Sequence, residues 1–332
     1  MNIAPPSATP PSHARWSIVI PVYNSEATIE RLCLQLLSEV EAPGGLQIVL
    51  VDDGSSDRSV ECLRRLHEAR PDCITAVFLA RNFGEHNAVI AGLRFVTGDY
   101  CVIMDDDFQN PIAEVSRMFK EVAGGYDVVY ARYDQKQHSL WRNLGSRLHN
   151  AMATHALGKP PGLYLSSFKS LSRFLVREII KYQGPDPYLD AIILRSTRNI
   201  GVLSVAHGTR EHGTSGYTLH KLFSLWGNMI VAFSLYPLRM IGVYGLVTAA
   251  AGILYSAFTI VQWIDPDLAD PDRFQRLNAS IWFFRGSILL TLSILGEYVG
   301  RIYRTLSGAP QSVVRASLPD GRPEPDSARS PS

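Results

Sequence analysis

The chain has 332 residues, 46% hydrophobic and only 19% charged, and its 32 Lys+Arg and 31 Asp+Glu leave a net charge of +1. The apolar content excludes wholesale disorder, and the balanced charge excludes the basic excess of a nucleic-acid binder, so no nucleic-acid partner is expected. At about 100–200 residues per domain, the length allows about two units.

Residues 1–14 are rich in Pro and Ser and lack the apolar segment of a signal peptide, which predicts a disordered tail. From Trp16 the pattern alternates. SIVIP reads as a buried strand and Ser25–Val40 as a helix. Leu46–Val51 is a second strand, followed by DDGSSD and a helix ending near Ala69. Ile74–Leu79, Tyr100–Met104 and Asp127–Tyr130 read as strands, with helices over Gly84–Phe95 and Ile112–Val122 between them. This rhythm predicts βαβ units and an α/β domain with a mostly parallel sheet flanked by helices, over 15–215.

Beyond it, Leu219, Leu222, Phe223, Trp226, Met229, Ile230 and Phe233 recur at helical spacing. They predict an amphipathic helix over 216–238, lying in a membrane interface or packed on a core. Met240–Ile264 carries no charge over 25 residues, enough to span a bilayer. A second apolar stretch, Leu277–Gly300, is broken by Arg285 and Glu297. Together they predict a two-helix transmembrane hairpin over 239–305, with a lipid bilayer as partner. Lys221, Arg239, Arg301, Arg304 and Arg315 flank it, and the connector between the spans is acidic. The positive-inside rule favours both ends of the hairpin, and with them the α/β domain and both termini, on the cytoplasmic side of a multi-pass protein of the cytoplasmic (inner) membrane. Residues 306–332 are expected to form a second disordered tail. Cys33, Cys62, Cys73 and Cys101 show no metal-ligand spacing and read as reduced, buried thiols.

In open parallel sheets ligands bind beyond the carboxyl ends of the strands. Those positions hold PVYNS (Pro21–Ser25), DDGSSD (Asp52–Asp57), ARNFGEHN (Ala80–Asn87) and DDDFQNP (Asp105–Pro111). The first turn has no glycine, which excludes the dinucleotide fingerprint, and no P-loop is present. Three consecutive carboxylates repel one another strongly if left unpaired, and a divalent cation removes that cost. Mg²⁺ or Mn²⁺, which prefer hard oxygen ligands shared with substrate phosphates, is the expected cofactor. Asp105 and Asp107 lie two apart and face the same side of an extended segment, while Asp106 faces away, toward a sugar hydroxyl.

IVIPVYNSEATI, IVLVDDGSSDRS, LARNFGEHNAVIAGL and GDYCVIMDDDFQNP, in this order, resemble the family 2 glycosyltransferases of the GT-A (nucleotide-diphospho-sugar transferase) fold. RNFG, DDDFQNP, REHGTSGYTLHKL and the ending LGEYVGRIYRT are similar to the polyprenyl-phosphate branch, which includes dolichol-phosphate mannose synthase-like enzymes. The resemblance spans about 16–305 and implies roles. Pro21, Tyr23, Asp52 and Asp53 would border base and ribose, with Arg81 against the base and Asp106 also near the nucleotide. Asp105, Asp107 and Gln109 would hold the metal and diphosphate. Arg210, Ser215 and Tyr217 would close over a donor or acceptor phosphate near the membrane. Arg132, Arg142 and Lys169 are further candidates for the acceptor phosphate. Where many relatives carry a G-D-F-R-like segment, this chain has LSSFK, with Ser167 for the acid and Lys169 for the arginine.

The implied reaction is inverting transfer of a sugar from a nucleotide-diphosphate donor, UDP preferred over GDP, to a polyprenyl (undecaprenyl) phosphate. Self-association into a homo-oligomer is compatible with it. The alternatives are transfer to a lipid or saccharide hydroxyl, with Asp186 or Asp190 as base, and a non-catalytic membrane scaffold. A processive synthase would carry Q-x-x-R-W, which this sequence lacks.

Overall fold

The computed structural model describes residues 13–133, 160, 163–184, 187–205, 241–248, 250–252, 254, 257, 273–308 and 310–319. They belong to two compact units, one drawn from 1–216 and 309–332, the other from 217–308.

In the first unit, β1 (Trp16–Val22), β2 (Leu46–Asp52), β3 (Ile74–Leu79) and β4 (Tyr100–Ile103) alternate with α1 (Ile29–Glu39), α2 (Ser59–Ala69), α3 (Glu85–Leu93) and α4 (Ile112–Ala123). Then follow β5 (Val128–Tyr133), β6 (Lys169–Ser172), α5 (Arg173–Ile180), α6 (Leu189–Ser196), β7 (Ile200–Val205) and, near the end of the chain, β8 (Val314–Leu318). The sheet order is β7-β5-β6-β4-β1-β2-β3-β8. β1–β2, β2–β3, β1–β4 and β5–β7 are parallel; β3–β8, β4–β6 and β5–β6 are antiparallel. The chain winds outward from β1 to β3 and returns to place β4 on the other side of β1. That reversal makes a crevice at the carboxyl ends of β1 and β4.

Alternation along the strands feeds two cores. Ile18 and Ile20 of β1 join Leu32, Leu36, Leu63, Met118 and Phe119 beneath α1, α2 and α4. Val19 joins Val49, Val89, Ile90, Leu175 and Ile193 beneath α3, α5 and α6. Trp16 stacks on Phe119 with ring centroids 4.4 Å apart, closing the amino end of the first core. Gly92 of α3 lies so close to the sheet that a Cβ there would meet Val51 and Val19 side-chain atoms at 2.7 and 2.8 Å. Cys33, Cys62 and Cys101 are buried free thiols, whereas Cys73 is only half-buried.

Three expectations change. The helix predicted from Ser25 starts at Ile29, because the Ser25 carbonyl accepts from the amides of Thr28 and Ile29 in a turn and the Ser25 amide donates to Ser59 Oγ at 2.8 Å. The amino-terminal tail does not extend through Ala14, which is buried and accepts the Gly44 amide at 3.2 Å. The disordered tail set at 306–332 is corrected at Val314–Leu318, which pairs with β3 as an antiparallel edge strand. Its alternate residues Val314, Ala316 and Leu318 pack against the cores, a short pattern hidden by the surrounding Pro, Ser and Arg.

In the second unit, residues 241–248 are helical, and α7 (Arg273–Leu306) runs for 34 residues. Among the described residues no helix is long and apolar enough to cross a membrane. The predicted hairpin includes 258–272, and the predicted amphipathic helix is 216–238; both stretches lie outside the described residues. Tyr244 and Ser287 share a hydroxyl hydrogen bond of 2.8 Å. Ile288, Leu289, Leu292, Leu295, Val299 and Ile302 of α7 are all exposed.

Candidate active site

The loops after β1, β2 and β3 are stitched to one another. Asn24 sits at φ +54°, a region that asparagine tolerates; its Oδ1 accepts the Ser56 amide at 2.8 Å and its own amide donates to Ser55 Oγ at 3.0 Å. Asp52 turns back on its own loop, accepting the amides of Gly54 and Ser55 at 3.2 and 3.3 Å. Asp53 accepts the amides of Phe83 and Gly84 at 2.7 and 2.9 Å and so fixes the start of α3. Burial pushes the Asp53 carboxyl up from its ordinary value, and those two amides pull it back. Gly54 is required here: its φ is +72°, and a Cβ would lie 2.7 Å from the Arg81 carbonyl carbon. Asp52 and Asp53, expected to border base and ribose, are each 3% exposed and act as braces of the loops. Pro21 lies in β1 opposite Val51, whereas Tyr23 just beyond is exposed. Arg81 is also exposed, with its guanidinium 4.2 Å from the centroid of the Phe83 ring.

The acidic loop after β4 brings Asp105, Asp107 and Gln109 together. Asp105 Oδ2 accepts from Ser167 Oγ at 2.6 Å and from Asn110 Nδ2 at 3.4 Å. Asn110 is buried and accepts from the Tyr133 hydroxyl. Asp107 accepts the Gln109 amide at 3.1 Å and Gln109 Nε2 at 2.7 Å, which leaves Gln109 Oε1 for a cation or a donor. This fold-back needs Phe108 at φ +62°, a strained conformation for a bulky residue. Arg31 lies 4.4 Å over the Phe108 ring. Asp106 has a different partner from Asp105, accepting from the Ser25 hydroxyl of its own chain.

This loop carries more negative charge than its surroundings offset. Burial, and then Asp107, push the Asp105 carboxyl up. Burial and Asp105 push Asp106 up to about 6. Glu85, at the first turn of α3, is exposed by surface area, yet desolvation of its carboxyl and the nearby Asp105 push it up to about 7. A hard divalent cation fits such a donor set. Among the described residues no group of three or more His, Cys, Asp or Glu forms a metal site by itself.

A pH dependence follows. The unfolded carboxylates titrate near 4, so above that pH the folded chain still holds protons on Asp106 and Glu85 that the unfolded chain has released. Stability from these groups is full below about pH 4 and is lost as pH rises through the folded values of about 6 and about 7. In EDTA, the Tm of the purified chain is expected to fall between about pH 5 and 7.5, with Glu85→Gln and Asp106→Asn flattening the slope. An unchanged slope in both variants would contradict this charge crowding.

The acceptor-phosphate candidates fare differently. Arg132 is exposed on β5 and donates to Ser204 Oγ of β7 at 3.3 Å. Arg142, Arg210, Ser215 and Tyr217 lie outside the described residues, as does Asp186. Lys169 is corrected: its side chain is 2% exposed and its ammonium is paired with Asp190, so it cannot meet a phosphate without breaking a buried ion pair. Asp190 also accepts the Tyr130 hydroxyl at 2.9 Å. As an alternative general base it is both buried and committed. Sequence reasoning noticed Ser167 only as a missing acid, and Tyr133 left no signal at all.

The Glycosyl transferase family 2 profile matches residues 17–180. The undecaprenyl-phosphate 4-deoxy-4-formamido-L-arabinose transferase of Photorhabdus laumondii is 33% identical over 92% of this chain and 95% of its own length. The chain belongs to glycosyl transferase family 2. It is a glycosyltransferase with an α/β GT-A-like fold. Transferases of the same name from Edwardsiella ictaluri and Pseudomonas paraeruginosa are each 33% identical, covering 93% and 91% of this chain and 97% and 91% of their own. Glucosyl-3-phosphoglycerate synthase from Mycobacterium tuberculosis superposes with a TM-score of 0.50 at 18% identity, over 66% of this chain and 76% of that one. That likeness speaks for the fold.

Proposed function

We propose that this glycosyltransferase moves a sugar from a nucleotide-diphosphate donor, UDP-linked, to a polyprenyl phosphate at the face of the cytoplasmic membrane. The observation that carries the reading is the near full-length similarity to undecaprenyl-phosphate sugar transferases, which continues beyond the GT-A-like unit into the apolar unit. Exposed apolar residues along α7 support a membrane setting, because a face of this size needs a cover. The two-helix hairpin over 239–305, the interfacial helix over 216–238 and the cytoplasmic side for the catalytic unit belong to the same proposal.

Asp105 and Asp107, with Gln109, would hold Mg²⁺ or Mn²⁺. When bound, the cation offsets the charge that grows on the departing nucleoside diphosphate. Mn²⁺ and UDP accompany the synthase of similar fold. Ser167 and Asn110 orient Asp105, and Tyr23 and Arg81 flank the nucleotide. A phosphate monoester is already ionised, so the acceptor demands no strong general base; the burial of Asp190 agrees with this. Arg132, Arg142, Arg210, Ser215 and Tyr217 are the groups assigned to the phosphates. Attack in line with the leaving group inverts the anomeric centre.

The test is a panel of UDP- and GDP-sugars incubated with undecaprenyl phosphate, undecaprenol and Mn²⁺ or Mg²⁺, with lipid products read by mass spectrometry. A sugar-phosphate-lipid product is expected from a UDP-sugar and none from undecaprenol. A product on undecaprenol alone would move the acceptor to a hydroxyl.

A further inference from the structure

β8 does more than extend the sheet. β3 leads directly into Ala80 and Arg81, and β8 holds both peptide groups of Ala80: its amide donates to the Val313 carbonyl at 2.8 Å, and its carbonyl accepts Arg315 Nη2 at 3.0 Å. The pairing slips at this point. Phe78 faces Ala316 but Leu79 faces Val314, so Arg315 is the extra residue of a bulge. A bulge re-aims a side chain, and here the guanidinium reaches the last peptide group before Arg81. Three residues before the strand, Gln311 is buried and accepts Arg94 Nη2 at 3.2 Å, just past the end of α3. Segment 311–318 thus holds the start of the β3–α3 connection at Ala80 and the far end of α3 at Arg94, while Asp53 and Gly54 brace the rest of the connection from the β2 side.

We infer that Arg315 is a positioning residue for the nucleotide site, holding the Ala80–Gly84 loop so that Arg81 is presented to the donor. The inference rests on the proposed role of Arg81 beside the nucleotide. Arg315 touches no part of that site itself. It is exposed, and its one described hydrogen bond goes to a backbone carbonyl, so its removal leaves the core intact.

The experiment is a double-mutant cycle on the full-length protein in detergent, with UDP affinity measured by calorimetry in Mn²⁺. Arg81→Ala is expected to weaken UDP by about tenfold and Arg315→Ala by about three- to tenfold, as for loss of a charge-assisted hydrogen bond. The double variant should be little weaker than Arg81→Ala alone, because Arg315 acts through Arg81. In Arg315→Ala, KM for the UDP-sugar should rise with kcat nearly unchanged, and amide exchange over 78–84 should quicken while Tm holds. Arg315→Lys should recover part of the affinity. If Arg81→Ala leaves UDP binding intact, the role of Arg81 fails and takes this inference with it. If Arg81→Ala weakens UDP but Arg315→Ala does not, or the two losses simply add, the positioning role of Arg315 is overturned while that of Arg81 stands.

Discussion

Asp107→Asn is expected to lower sugar transfer by at least about a thousandfold while the protein stays folded. A cation at a departing diphosphate supplies several kcal/mol, and each ~1.4 kcal/mol is tenfold in rate. Asn keeps the shape and can still accept from the Gln109 amide, which now meets Asp107 at 3.1 Å. What it loses is the charge that balances a divalent ion. The loss therefore belongs to the chemistry and to cation affinity, and Mn²⁺ binding followed by electron paramagnetic resonance should fall in parallel. Asp105→Asn should behave similarly in activity. It should also loosen the contact with Ser167, which donates to this carboxylate at 2.6 Å. Transfer within about tenfold of the parent in Asp107→Asn, or full activity in chelator, would remove Asp107 from the metal site.

The second large effect concerns stability. Asp190→Asn leaves the Lys169 ammonium buried, 2% exposed, without its counter-charge. Breaking a buried pair from one side costs about 3–5 kcal/mol, a large share of a typical domain's stability. Lys169→Met alone should cost a similar amount, because Asp190 would keep the Tyr130 hydroxyl but lose the ammonium that balances its charge. The double change Lys169→Met/Asp190→Asn removes both charges and should be much milder than the sum of the two single changes. Urea unfolding of the four proteins checks the cycle. Any activity lost by Asp190→Asn should return at low temperature, where the folded population recovers. A fully stable Asp190→Asn whose kcat has dropped a hundredfold or more would instead make Asp190 a base and revive the hydroxyl-acceptor reading.

The first half of the sheet was legible because its strands are buried on both faces and read as short apolar runs, as in IVI of β1 and IVLV of β2. The acidic loop was legible because three carboxylates at a strand end have few structural uses. The bracing contacts of Asp52 and Asp53 were not, since a carboxylate aimed at a nucleotide and one aimed at a neighbouring amide look the same in sequence. Lys169 misled for a related reason: β6 is a four-residue strand, too short to show that its lysine points into the core toward α6. β8 was missed because edge strands carry polar residues, and Arg315 and Ser317 resemble the tail around them.

The return of the chain to its starting sheet fixes a parity. β7 leaves the sheet at Val205 and β8 re-enters it at Val314. Any bilayer between these points must be crossed an even number of times, since both strands hydrogen-bond into one sheet on one side. A lone span through α7 is thereby forbidden, as is a third crossing in the intervening chain. If the proposed hairpin over 239–305 crosses a bilayer, its two spans must insert together: a substitution that kept one of them out would have to expel the other as well or pull β8 away from β3.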